Sequence, residues 1–238
     1  MTARTRARLR LRGFLPRHDI GYPGKTAWTK TFGRWLAALS FEAPGRQIAF
    51  TDYCLAVQAC DERVERLSLS LLQATQRWRF EGVVRVRCSL RGIDAVSAIG
   101  LVAEIGDIDR FEHPRKLMGC LGLVPSERSS GERVSRGPIT KRGNAHARRL
   151  LTQAAWCYRF KPRVGYQAQR GQEDLPEFTH ALAWKAQLRL TDRYAKLRAR
   201  GVTINKVCVA VPRGLDGFVW AVARNASAAP LMALSAAT

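Results

Sequence analysis

Acidic residues are scarce in this chain. Over 238 residues, 19 Asp and Glu stand against 40 Lys and Arg, a formal charge of +21. Lysine is scarce too, and only eight of the forty basic residues are lysine. Paired metal ligands are missing: the six cysteines, at 54, 60, 88, 120, 157 and 208, include no Cys-x-x-Cys, and the four histidines are scattered. Zinc sites draw ligands from short pairs that one loop presents together, so this pattern excludes the common zinc modules. Cys88, Cys120, Cys157 and Cys208 read instead as small core residues of a reduced protein. No hydrophobic run is long enough to span a bilayer, and the N-terminus lacks the apolar segment of a signal peptide. These absences predict a cytoplasmic protein with no membrane partner. Neither a Gly-x-Ser-x-Gly elbow nor a phosphate-binding P-loop is present, and no histidine is placed beside Ser129 and Ser130.

What remains is a globular composition, 46% hydrophobic and 25% charged, with an arginine excess. Guanidinium groups grip phosphate oxygens through two parallel hydrogen bonds, which points first to a nucleic acid. A membrane surface, a ribosome-like role or an arginine-rich proteome would leave a similar composition.

The pattern along the chain is mainly helical. Residues 1–18 carry Arg4, Arg6, Arg8, Arg10, Arg12 and Arg17 with no acid and read as the basic end of a helix; an arginine-rich transit peptide is the weaker alternative. Pro-Gly pairs at 23–24 and 44–45 read as breaks around an aromatic stretch with Trp28, Phe32 and Trp35. Val57, Cys60, Val64, Leu67, Leu71 and Ala74 then form a stripe at 3-4 spacing, with Thr51 or Asp52 as the N-cap. That stripe suits a coiled-coil-like seam, and an ordinary packing helix fits nearly as well.

Residues 83–106 outline two helices joined by Leu90-Arg91-Gly92-Ile93-Asp94. A helix-hairpin-helix would point backbone N–H groups from such a turn at a phosphate, with Gly92 in the turn. Asp94 replaces the usual second glycine, so a structural helical hairpin competes with that reading. Pro114 suits the first turn of a further helix. Residues 123–143 then lose all apolar period and form an extended loop or hairpin rich in Ser, Gly and Arg. From Arg128 to Arg163 ten basic residues face the single Glu132. Asn144 is the N-cap of the helix that follows, and another helix over 178–199 stops at Gly201. Residues 204–211 fit a strand or part of a broken terminal helix, and 226–238 a frayed, disordered tail.

Ser129 and Ser130, between Arg128 and Arg133, suit one chemistry: attack on a phosphodiester, with guanidinium groups stabilising the five-coordinate transition state. Ser-Ser-Gly is also common in inert loops. Asp107, Asp109, Glu173 and Asp174 read as caps or solvated charges rather than as converging metal ligands.

LRGIDAVSAIGLVAEIGDIDRF, followed by PRKLMGCLGLVPSERSSGERVSRGPITKRGNAHARRLLTQAAW, resembles the C-terminal domain of transposases of the insertion sequence 110, 116 and 902 family, relatives of Piv-type DNA invertases. The RHDIGYPGKTAWTK and WKAQLRLTDRYAKLRARG segments are similar to that family as well. The resemblance implies a recombinase in which a RuvC-like domain bearing four metal-binding acids works with a coiled coil and a helical domain carrying a nucleophilic serine. It implies that Ser130 is that serine, with Ser129 as the fallback. It also implies that Arg136, Lys141, Arg142, Asn144, Arg148 and Arg149 are phosphate contacts, beside Arg128, Arg133 and Gly92.

The four acids have no counterparts here. The expectation is therefore an N-terminally truncated or separately encoded transposase, with no cofactor of its own and Mg²⁺ only alongside a RuvC-like domain. Its partners would be transposon-end and target DNA, in some family members a guide RNA, and a second copy or a full-length transposase through the 52–75 helix. A catalytically inactive DNA-binding remnant or regulator, and a structural RNA-binding protein, are the competing classes. The expected layout is a basic, coiled-coil-like region over 1–80, a serine domain over 81–225 and the tail.

Overall fold

The computed structural model describes residues 2–127, 129–130, 136–165, 169 and 175–235, without the side chains of 136 and 227–235. It is mainly helical, with one two-stranded sheet among the described residues. Two compact units divide the chain, Met1–Leu71 and Leu72–Thr238. The division falls within a helix.

In the first unit, α1 (Ala3–Phe14) starts where the Thr2 hydroxyl accepts the Thr5 N–H. Its Ala7 and Leu11 are buried with Leu15, Phe50 and Val57. The opposite face is arginine, but part of that charge is used inside the unit. Arg4 Nε lies 2.6 Å from Asp61 Oδ1, and Arg8 Nη2 donates to both Asp61 oxygens at 3.1 and 3.2 Å. The Arg8 guanidinium also lies over the Trp28 ring at 4.7 Å.

Helix α2 (Lys30–Ala37) is capped by Thr29 and buries Phe32. Helix α3 (Pro44–Thr75) corrects the reading of Pro44-Gly45 as a break: the helix begins at Pro44. Proline fits a first helical turn because the N–H it lacks would have no partner there. Thr51 and Asp52 consequently lie inside α3 and cap nothing. The apolar stripe splits along its length. Val57 is buried, whereas Val64, Leu67 and Leu71 are 42%, 55% and 37% exposed.

The second unit contains α4 (Glu81–Cys88), α5 (Ala95–Ile105), α6 (Pro114–Cys120), strands β1 (Pro125–Glu127) and β2 (Arg136–Ile139), and α7 (Ala145–Ala155). It continues with α8 (Glu177–Ala199), α9 (Ile204–Ala210) and α10 (Pro212–Ser235), and short 3-10 turns cover Ile108–Arg110 and Trp156–Arg159. Helix α10 packs against α4, α6, α7 and α8. Leu101, Leu117, Leu151, Leu190 and Val219 are fully buried in one apolar core.

The β-branched run at 204–211 is helical, not a strand. Ile204, Val207, Cys208 and Val211 recur at 3-4 spacing, and the last three are buried, so packing on one helix face overrides strand propensity. The backbone of α10 stays helical to Ser235, within the segment expected as a tail.

Two ionisable side chains sit in this apolar interior. Arg87 on α4 and Asp216 on α10 are fully buried, and neither the guanidinium nor the carboxylate has a hydrogen-bond partner among the described residues. Burial pushes the Asp216 carboxyl up to about 8, opposed by the Arg87 charge, and pushes Arg87 down to about 10, opposed by Asp216. Such a group is destabilising relative to an apolar one, since charge leaves water without a compensating hydrogen bond.

Candidate nucleic-acid interface

The Ser/Gly/Arg segment forms an antiparallel hairpin. Pro125 pairs with Ile139 and Glu127 with Arg136, with an irregularity between. Its base is clamped by backbone. Lys141 N–H donates to Gly122 O (3.1 Å), Asn144 N–H to Cys120 O (3.0 Å) and Thr140 N–H to Val124 O (2.9 Å). Two glycines permit this approach. A Cβ on Gly122 (φ +63°) would lie 2.0 Å from Arg142 O, and one on Gly143 (φ +101°) 2.0 Å from Cys120 O. Lys141 also takes positive φ, at 56°. The clamp fixes the base of the hairpin against the end of α6 and the start of α7.

Ser129 and Ser130 lie on the far side of β1 from this base, and both are exposed. Ser129 Oγ donates to Glu127 Oε1 at 2.7 Å. Ser130 Oγ has no hydrogen-bond partner among the described residues. Arg128 and Arg133 lie outside the described residues, and Arg136 is placed by its backbone in β2.

At the hairpin base, Lys141, Arg142 and Arg149 are exposed. Arg148 is half-buried and its Nη1 donates to Leu121 O at 2.8 Å, so it braces the end of α6. Asn144 caps α7 as expected: its Oδ1 accepts the Ala147 N–H at 2.9 Å. The other end of its amide, Nδ2, donates to Glu104 Oε2 at 2.5 Å, while His146 Nδ1 lies 2.8 Å from Glu104 Oε1. These hydrogen bonds, Asn144's first and His146's second, hold the Glu104 carboxyl below its ordinary range. Both ends of Asn144 are thus engaged within the fold. Glu104 and His146 carry no sequence signal of their own, because α5 and α7 meet only in the folded domain.

The turn at Gly92 (φ +86°) links α4 and α5, but a Cβ there would lie 2.5 Å from Ala154 O. Close packing on α7 therefore accounts for the glycine. The Asp94 carboxylate accepts the Ser97 N–H at 2.7 Å and caps α5, so the helix N-terminus already holds an anionic group. Asp107 likewise caps a 3-10 turn.

Residues 85–168 match the model of the Transposase IS116/IS110/IS902 family. The hairpin, both serines and α7 all fall within that match. The matched segment belongs to the IS116/IS110/IS902 transposase family. Putative transposase y4qE of Sinorhizobium fredii is 43% identical over 219 residues, covering 92% of this chain and 53% of that protein. The transposase for insertion sequence element IS1533 of Leptospira borgpetersenii is 28% identical over 201 residues, 82% of this chain and 57% of that protein. A probable family 20 transposase of Pseudomonas aeruginosa is 31% identical over 99 residues, 42% of this chain and 28% of that protein. The chain thus spans about half the length of the first two relatives.

The described residues hold no group of three His, Cys, Asp or Glu side chains that could bind a metal ion. No helix among the described residues is long and apolar enough to cross a membrane.

Proposed function

We propose that this chain supplies the serine-bearing, DNA-gripping part of a transposition reaction. The observation that supports this most is the position of Ser130: it lies within the family-matched segment, exposed beyond a clamped hairpin. In the reaction, Ser130 Oγ attacks the phosphorus of a DNA phosphodiester. A P–O bond to the deoxyribose oxygen breaks as the serine ester forms, and that oxygen takes up a proton. Reversal by another strand's hydroxyl rejoins the backbone and frees the serine. Lys141, Arg142 and Arg149, exposed at the hairpin base, contact backbone phosphates, together with Arg128, Arg133 and Arg136. Asn144 and Arg148 hold the base in place. Mg²⁺ and a guide RNA belong to this reading only where a RuvC-like domain and a cognate element RNA are supplied.

Ser129 is the second candidate, and one contact favours it: Glu127 accepts its hydroxyl hydrogen at 2.7 Å, a geometry suited to general-base activation. A nicked substrate whose leaving strand diffuses away would trap the serine ester, with a RuvC-like half supplied in trans. An adduct in wild type, absent in Ser130→Ala and retained in Ser129→Ala, supports the first assignment. The reverse supports Ser129 with Glu127. No adduct with any variant leaves the non-catalytic DNA-binding regulator as the better reading. For that reading the exposed Val64, Leu67 and Leu71 of α3 offer a seam to a second copy or a full-length transposase.

A further inference from the structure

Immediately after α7 the chain makes a 3-10 turn, Trp156–Arg159, that presents two aromatic rings to solvent. Trp156 is 37% and Phe160 52% exposed. Between them the Arg159 guanidinium lies 5.6 Å from the Trp156 ring centre and 4.5 Å from that of Phe160. Fully buried Tyr158 anchors the turn from below. Arg91 fixes the following backbone, with Nη1 2.9 Å from Lys161 O and 3.4 Å from Phe160 O, and the Arg163 N–H donates to Gln187 Oε1 at 3.2 Å. Arg159, Lys161 and Arg163 are exposed, and none pairs with a carboxylate among the described residues.

An exposed pair of rings could dock a protein, but the charge around them selects the occupant. Three cations with no carboxylate partner among the described residues favour a polyanion, and rings interleaved with cations match alternating bases and phosphates. Duplex DNA hides its base faces in the stack, so only an unpaired strand can use the rings. We propose that Trp156, Arg159 and Phe160 form a stacking surface for unpaired bases of a single DNA strand. The proposal rests on the transposition reading, since strand breakage and exchange is the class of reaction that exposes such a strand. The turn is held before any ligand arrives, so little ordering cost is charged to binding.

The test is fluorescence anisotropy of the full chain at fixed salt, with a labelled 12-nucleotide single-stranded DNA, the RNA of the same sequence and the matching DNA duplex. Trp156→Ala/Phe160→Ala should weaken single-stranded DNA by about tenfold or more while changing duplex affinity less than about twofold. Trp156→Phe/Phe160→Tyr, which keeps two rings, should restore single-strand binding and also controls for folding. Arg159→Gln should lower the salt dependence of single-strand binding, whereas the ring variants should not. Equal loss on single strand and duplex, or no loss on either, overturns the proposal. So does loss confined to RNA, or a change of oligomeric state in sedimentation that assigns the rings to a second copy. Because the readout is equilibrium binding, an inactive serine leaves it unchanged. Failure of the adduct experiment and failure of this surface are therefore distinguishable.

Discussion

Arginine is put to different uses in the two arginine-rich regions. On α1, Arg4 and Arg8 converge on the one carboxylate of Asp61, and Arg8 also covers Trp28. Between Lys141 and Arg163, Lys141, Arg142, Arg149, Arg159, Lys161 and Arg163 are exposed, and Arg148 is spent on a backbone carbonyl. The difference lies in the partners that the fold brings near, not in the arginines. A basic run that meets an acid across a helix pair becomes packing, and one that meets none keeps its charge for an external anion.

The most severe test of that contrast is the arginine with no access to water at all. Arg87→Met should lower the unfolding free energy of the second unit by ~3–5 kcal/mol in urea titration at pH 9, where Asp216 is ionised and loses the opposite charge in the core, and by much less at pH 6, where the carboxyl keeps its proton. Arg87→Met/Asp216→Leu should recover most of the loss. If the single variant is neutral at pH 9, the buried charges are not coupled.

The base from which the second region emerges should break next. Gly122→Ala or Gly143→Ala forces a Cβ against a carbonyl at positive φ and should cost about 2–3 kcal/mol. Adduct formation should fall with it, whereas Gly13→Ala, which meets open space, should do neither.

The pH dependence follows from Asp216. Its carboxyl is raised to about 8, against ~4 in the unfolded chain, so the folded state keeps a proton that the unfolded state has lost. Its stabilising contribution is complete below pH ~4 and declines as pH rises toward 8, by up to ~1.4 kcal/mol per pH unit. Arg87, lowered only to about 10, stays charged across that window. Asp216→Asn should flatten the slope in urea titrations at pH 5, 6, 7 and 8.

The smallest effects separate the two regions directly. Arg8→Ala should cost ~0.5 kcal/mol of stability and change DNA affinity little. Arg149→Ala should leave stability within ~0.5 kcal/mol yet weaken binding across sequences and reduce the salt slope by about one. Equal effects of both variants on DNA affinity would erase the distinction.

Much of this was legible in the residues. Asn144 as a cap, Pro114 opening α6 and Gly201 ending α8 are local signals, and each works through its own backbone. The family motifs likewise singled out the hairpin and both serines. Pro44 carries two meanings, because the same residue breaks a helix interior and opens a helix, and only the turns after it decide which. The 204–211 run was ambiguous because β-branched residues fit either element until the core chooses a face.

Local sequence, then, determined the helical class, the serine-bearing hairpin and the excess of arginine, since periodicity, caps and charge need no distant partner. Tertiary structure decided which arginines remain available. Asp61, Glu104, Gln187 and Asp216 lie between 24 and 129 residues along the chain from the groups they engage, Arg163, Asn144, His146, Arg4, Arg8 and Arg87. Only folding brings them together, and pairing depends on distance in space.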